Sequence, residues 1–182
     1  MKKHRCFIAF NLPKEFITEI KRLQELIREK KFFTGKFTEP ENIHLTMKFL
    51  GEIDEKKIPE VKKKLESIKM KRFDMRLGEL GIFSKRMIRI LWIKLEGADV
   101  LKLQKEIDMA LEGMFEEEER FMSHITIARI KHVNNKREFL DYLANTIPKK
   151  FSGMAESFSL MESELMPDGP KYTELGRYNL EI

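Results

Sequence analysis

Two short stretches constrain how this chain can fold. Ile43-His44-Leu45-Thr46-Met47 in the first half recurs as Ser123-His124-Ile125-Thr126-Ile127 in the second. Both are rich in apolar and β-branched residues, and both alternate, so both read as β-strands. Residues i and i+2 of a strand share a face. His44 and Thr46 therefore point one way and Ile43, Leu45, Met47 and Phe49 the other. His124 and Thr126 likewise oppose Ile125 and Ile127. Each strand has an apolar back suited to a core and an imidazole–hydroxyl front suited to a wet cleft. The chain has four histidines in 182 residues, so two matching His-x-Thr strands mark a pair.

The remaining elements repeat around these strands. Residues 3–10 read as a strand. Asn11 is placed to cap, and Pro13 to open, a helix over 13–29 whose stripe is Phe16, Ile20, Leu23 and Ile27. A short strand over 32–38 is broken by Pro40, and Gly51 ends the first motif strand. A second helix begins near Pro59, with stripe Ile58, Val61, Leu65 and Ile68. Strands over 73–83 and 87–96 follow, joined at Ser84-Lys85-Arg86. A third helix carries Leu101, Leu103, Ile107, Ala110, Leu111 and Met114. After the second motif strand, Asn134-Asn135 precedes a helix over 136–146. Strands over 155–165 and 172–180 close the chain around the turn signal Pro167-Asp168-Gly169-Pro170. The duplicated order predicts an α+β, bilobal fold: two antiparallel-rich sheets with outer helices around a central cleft. Residues 1–182 are expected to form one two-lobed domain, with a pseudo-twofold bringing the two fronts together.

Composition excludes several classes. No run approaches the roughly 18 apolar residues of a membrane span, and nothing resembles an export signal, so no membrane partner is expected and a reducing cytoplasm is the expected location. Cys6 is the single cysteine and reads as a core residue; no Cys/His cluster has zinc spacing. A net charge of +5 permits a polyanionic partner. Lys and Glu dominate the charged residues while only Gln24 and Gln104 represent glutamine, a bias of thermophilic proteins. Glu116 to Glu119 reads as a solvated acidic run.

Two histidines can cleave a phosphodiester without metal or cofactor. One takes a proton from the nucleophile and the other gives one to the leaving oxygen, near the pH at which imidazole titrates. The threonine hydroxyls can hold phosphate oxygens. Neither front carries an adjacent carboxylate for metal binding, and no Gly-rich phosphate loop is present.

The paired motifs resemble the two-histidine phosphoesterase superfamily, and within it the family of 2'-5' RNA ligases, or RNA 2',3'-cyclic phosphodiesterases. The likeness rests on Arg5-Cys6-Phe7-Ile8-Ala9-Phe10, Glu41 to Thr46 with Phe49-Leu50-Gly51, Leu80-Gly81-Ile82-Phe83, His124 to Arg129, and the segment from Ser163 to Tyr172. It implies hydrolysis of cyclic phosphate ends of RNA to 2'-phosphate, with His44 as proton donor, His124 as acceptor, and Thr46 and Thr126 completing the site. No cofactor is implied. The expected partner is RNA with 2',3'-cyclic phosphate ends, tRNA fragments among them, and the expected acting species is a monomer. Ser123 departs from the proline common in the family, which would loosen the strand entry.

Arg129 is a further phosphate-binding candidate, although simple alternation places it on the back unless a bulge intervenes. Lys48 continues the His44 front. Phe7 reads as core, Tyr172 as a possible stacking surface for a base, and His4 and His132 as packing or surface residues. Reversible 2'-5' ligation at the same site, or RNA binding without catalysis, are the alternatives; intact His and Thr at both motifs argue against the latter.

Overall fold

The structure, a computed structural model, describes residues 2–150, 152–167 and 169–182. The chain runs β1 (Lys3–Phe10), α1 (Lys14–Glu29), β2 (Phe33–Phe37), β3 (Leu45–Asp54), α2 (Ile58–Glu66), β4 (Phe73–Ile82), β5 (Ile90–Glu96), α3 (Val100–Ala110), β6 (His124–Val133), α4 (Lys136–Asn145), β7 (Ser152–Ala155), β8 (Ser157–Met166) and β9 (Gly169–Asn179). The strand order is β7-β4-β5-β6-β3-β1-β8-β9, with β2 added against β6. The named strands pair antiparallel throughout.

This order is nearly a palindrome about the two motif strands. On one side lie β3, β1, β8 and β9, on the other β6, β5, β4 and β7. The halves meet where Leu45 pairs with Ile125. The helices bury the stripes set by their 3.6-residue period: Phe16, Ile20, Leu23 and Ile27 of α1, Val61 and Leu65 of α2, Leu103 and Ile107 of α3, Phe139 and Leu143 of α4. Each such side chain contributes about 1.5–3 kcal/mol. Leu101, expected on the α3 stripe, is instead exposed.

Several boundaries differ from expectation for local reasons. Asn11 does not cap α1; its amide donates to the hydroxyls of Ser157 and Ser159, fastening β1's end to β8. Gly51 does not end β3. It takes φ 70° at a bulge, where Cys6 pairs with Gly51 and Phe7 with Phe49, and the strand continues to Asp54. The strand expected over 155–165 is β8, which pairs with β1, and an unexpected short strand, β7, precedes it and pairs with β4. Asp168, within the expected turn, lies outside the described residues; β8 and β9 pair on either side of it, from Met166 with Gly169 onward. Among the described residues no helix is long and apolar enough to cross a membrane.

Candidate active site

Both motif strands break alternation immediately after their threonine. In the β1–β3 ladder Ala9 pairs with Thr46 and Ile8 with Lys48, so Met47 is extra. In the β5–β6 ladder Trp92 pairs with Thr126 and Leu91 with Ala128, so Ile127 is extra. These are matching β-bulges, and each puts two consecutive residues on the core side. Met47 and Lys48 are buried together, as are Ile127 and Ala128.

The bulges re-aim the next residues. Phe49, expected on the back, returns to the front and is 69% exposed. Arg129 also comes to the front, into the cleft with His44 and His124. Lys48, expected on the front, is turned back: its ammonium meets the Asp108 carboxylate on α3 and the Glu116 carbonyl, all but hidden from water.

The chain's two glutamines serve these bulges from α1 and α3. Gln24 donates to the carbonyls of Ile127 and Thr38, both at 2.9 Å. The Thr38 hydroxyl donates to the Thr126 carbonyl at 2.9 Å. The backbone groups released by the β6 bulge are thereby satisfied. Gln104 donates to Asp108, the partner of Lys48. Both glutamines are buried.

The two imidazoles are held alike. His44 Nδ1–H donates to the Asn42 carbonyl at 2.8 Å, and His124 Nδ1–H to the Met122 carbonyl at 2.7 Å. A carbonyl only accepts, so Nδ1 carries the proton in each neutral ring and Nε2 is left for the cleft. The Thr46 hydroxyl donates to His44 Nε2 at 3.0 Å. His44 is wedged between Phe7, with ring centroids 5.0 Å apart, and the edge of Tyr172 at 5.2 Å. His124 stands edge-on to Phe83 at 4.8 Å. Phe7 is thus buried, as expected, but on the cleft side. Ser123 does not loosen the entry to β6: its hydroxyl donates to the Leu95 carbonyl at 2.6 Å and its own carbonyl receives the Leu95 N–H.

The cleft encloses about 700 Å³ and is lined by both histidines, both threonines, Arg5, Arg120, Arg129 and Tyr172. Burial holds His44 below the ordinary histidine pKa, with Arg129 and His124 acting in the same direction against the hydrogen bond to Asn42. Burial raises Tyr172, while Arg129 and Arg5 pull it back. Among the described residues no three His, Cys, Asp or Glu side chains converge as a metal site would require. Cys6 is buried and its thiol is pushed up to about 11 by burial, in keeping with a core role. His4 packs against Glu162 at 2.5 Å and His132 is exposed.

Sequence reasoning missed Arg5, Phe83 and Arg120 as cleft residues. Arg5 was detectable, since it alternates with Phe7 on β1. Phe83 and Arg120 follow no periodicity.

The model of the LigT-like phosphoesterases matches residues 10–92 and 94–172. The chain belongs to that family. Relatives of this LigT-like phosphoesterase include proteins named RNA 2',3'-cyclic phosphodiesterase from Methanocaldococcus jannaschii (33% identical, covering 92% of this chain and 96% of the relative) and Aquifex aeolicus (31%, with 99% of each covered). One from Thermotoga maritima is 32% identical over 94% of this chain and 92% of its own. The crystal structure of TT0787 of Thermus thermophilus superposes with a TM-score of 0.79 at 28% identity, covering 97% of each chain. LigT of Escherichia coli shares the fold, with a TM-score of 0.79 at 22% identity over 99% of each chain.

Proposed function

We propose that this protein is an RNA 2',3'-cyclic phosphodiesterase, hydrolysing cyclic phosphate ends to 2'-phosphomonoesters by acid–base catalysis between His44 and His124. The observation that carries the reading is the matched presentation of the two rings. Each is oriented by a carbonyl two residues upstream, and each offers Nε2 to one cleft. Relatives of similar length that carry this activity in their names support it.

In the proposed reaction His124 Nε2 takes a proton from water as the water oxygen bonds to phosphorus. The bond from phosphorus to the 3' oxygen breaks, and His44 Nε2–H protonates that oxygen. Thr46, Thr126 and Arg129 hold the non-bridging oxygens, where charge builds in the transition state. The low pKa of His44 makes its imidazolium a stronger acid toward an alkoxide leaving group. The substrates are RNA ends, tRNA fragments among them, and the acting species is the monomer.

A fixed in-line axis yields one product. Phosphorus NMR of an oligoribonucleotide cyclic phosphate after reaction is expected to show 2'-phosphate alone. A mixture of 2'- and 3'-phosphates would defeat the fixed axis, and 3'-phosphate alone would reverse the roles of the two histidines.

A further inference from the structure

We infer that Arg5 forms a second phosphate subsite, for the internucleotide phosphate on the 5' side of the terminal nucleotide, so that the cleft prefers oligonucleotide ends to cyclic mononucleotides. The inference rests on the proposed function and its assignment of roles. In-line opening sends the 3' oxygen, still attached to the ribose, toward His44, while water enters beside His124. The nucleoside and the RNA chain behind it therefore lie on the His44 side.

On that side β1 runs along β3 and presents Phe7 and Arg5 to the cleft. Ala9 stands opposite Thr46, Phe7 opposite Phe49, and Arg5 opposite Glu52. Phe7 touches the His44 ring. Arg5 follows about 7 Å further along the strand, one i, i+2 step. It is exposed and lines the same cleft, and its positive charge is felt at the Tyr172 hydroxyl.

Arg5 is not engaged elsewhere. Of the chain's arginines, Arg22, Arg28, Arg72, Arg76, Arg137 and Arg177 each have a carboxylate within ion-pair distance. Among the described residues Arg5, Arg86, Arg89, Arg120 and Arg129 have none, Glu52 included, and three of these five line the cleft. Arg129 lies close enough to lower the pKa of His44 and serves the reacting phosphate. One cyclic phosphate carries one negative charge, so a second free guanidinium on the RNA side has no counterpart unless the substrate brings another phosphate. Arginine suits that task, because its planar fork can meet two phosphate oxygens.

The test compares kcat/KM on adenosine 2',3'-cyclic phosphate with that on the diadenosine ending in the same cyclic phosphate, at fixed low salt. The wild-type protein is expected to favour the dinucleotide by about tenfold, the scale of one charge-assisted hydrogen bond. R5Q is expected to lose that preference while handling the mononucleotide within about twofold of wild type, and R5K to restore part of it. A neutral methylphosphonate at the internucleotide position should cost the wild type the same factor and cost R5Q nothing further. Equal losses by R5Q on both substrates, or a methylphosphonate that the wild type tolerates, would overturn the subsite and leave the catalytic reading standing. Loss of the preference in R120Q instead of R5Q would place the RNA beside His124 and overturn it too. A wild-type protein that opens neither substrate would refute the proposed function itself.

Discussion

Leu45 pairs with Ile125 across the seam between the two halves of the sheet, and each is the middle residue of a His-x-Thr motif. An antiparallel pair at the two middles sets His44 on the Thr126 side of the seam and His124 on the Thr46 side. The two imidazoles thus stand at diagonal corners of the paired motifs, His44 Nε2 turned to its own Thr46 hydroxyl at 3.0 Å, and a phosphate seated over the pair would have a histidine on each of two sides. The cores of both halves meet beneath this floor, because the side chains of Leu45 and Ile125 are wholly buried.

His44→Ala and His124→Ala are each expected to fold normally and to lose at least about 10²-fold in kcat on an oligoribonucleotide cyclic phosphate. Thr46→Val and Thr126→Val should lose less, since each removes hydrogen bonds and leaves proton transfer in place. Circular dichroism and single-turnover kinetics make the comparison. Near-wild-type turnover in either folded histidine variant would end the two-histidine mechanism.

Arg129→Gln removes one of the positive charges that hold His44 down. The His44 pKa, which lies below its ordinary 6.5 in the native protein, should therefore rise. Because the proposed donor must be protonated, the alkaline limb of kcat/KM is expected to move to higher pH. NMR titration of the His44 ring reads the shift directly, and an unchanged titration would place Arg129 outside the electrostatics of the site.

Lys48 and Asp108 form a buried ion pair between β3 and α3. Lys48→Ala leaves the carboxylate buried without its cation and should destabilise the protein by about 3–5 kcal/mol. Lys48→Met with Asp108→Leu removes both charges and is expected to recover most of that loss. Urea denaturation of the three proteins reads the difference.

Gly35 has no room for a side chain, since a Cβ there would lie 2.2 Å from the Arg129 carbonyl. Gly35→Ala must lift β2 off β6 or shift Arg129, at a cost of about 1–3 kcal/mol. Both the unfolding midpoint and the rate of cyclic phosphate opening should fall, and a variant unchanged in both would mean that β2 plays no part in seating Arg129.

Exhaustive chelation is expected to leave hydrolysis intact, because the proposed proton transfers need only imidazole. Activity lost in EDTA and restored by one divalent metal would replace the scheme with metal-activated water.

The sequence alone determined every element but the short strand β7, and the pairing of the histidines. Period-two alternation marks His44 with Thr46 and His124 with Thr126 as shared fronts, and period-3.6 stripes mark buried faces of α1 to α3, because side-chain direction follows directly from local backbone geometry. It did not determine where that alternation stops. The bulges at Met47 and Ile127 exist because β1 and β5 pair with the motif strands out of step by one residue, while Gln24 and Thr38 meet the carbonyls freed in β6. These partners are remote in sequence from the residues they re-aim. Only the assembled sheet could send Arg129 and Phe49 into the cleft, turn Lys48 away to Asp108, and set Arg5 beside the path that leads from His44.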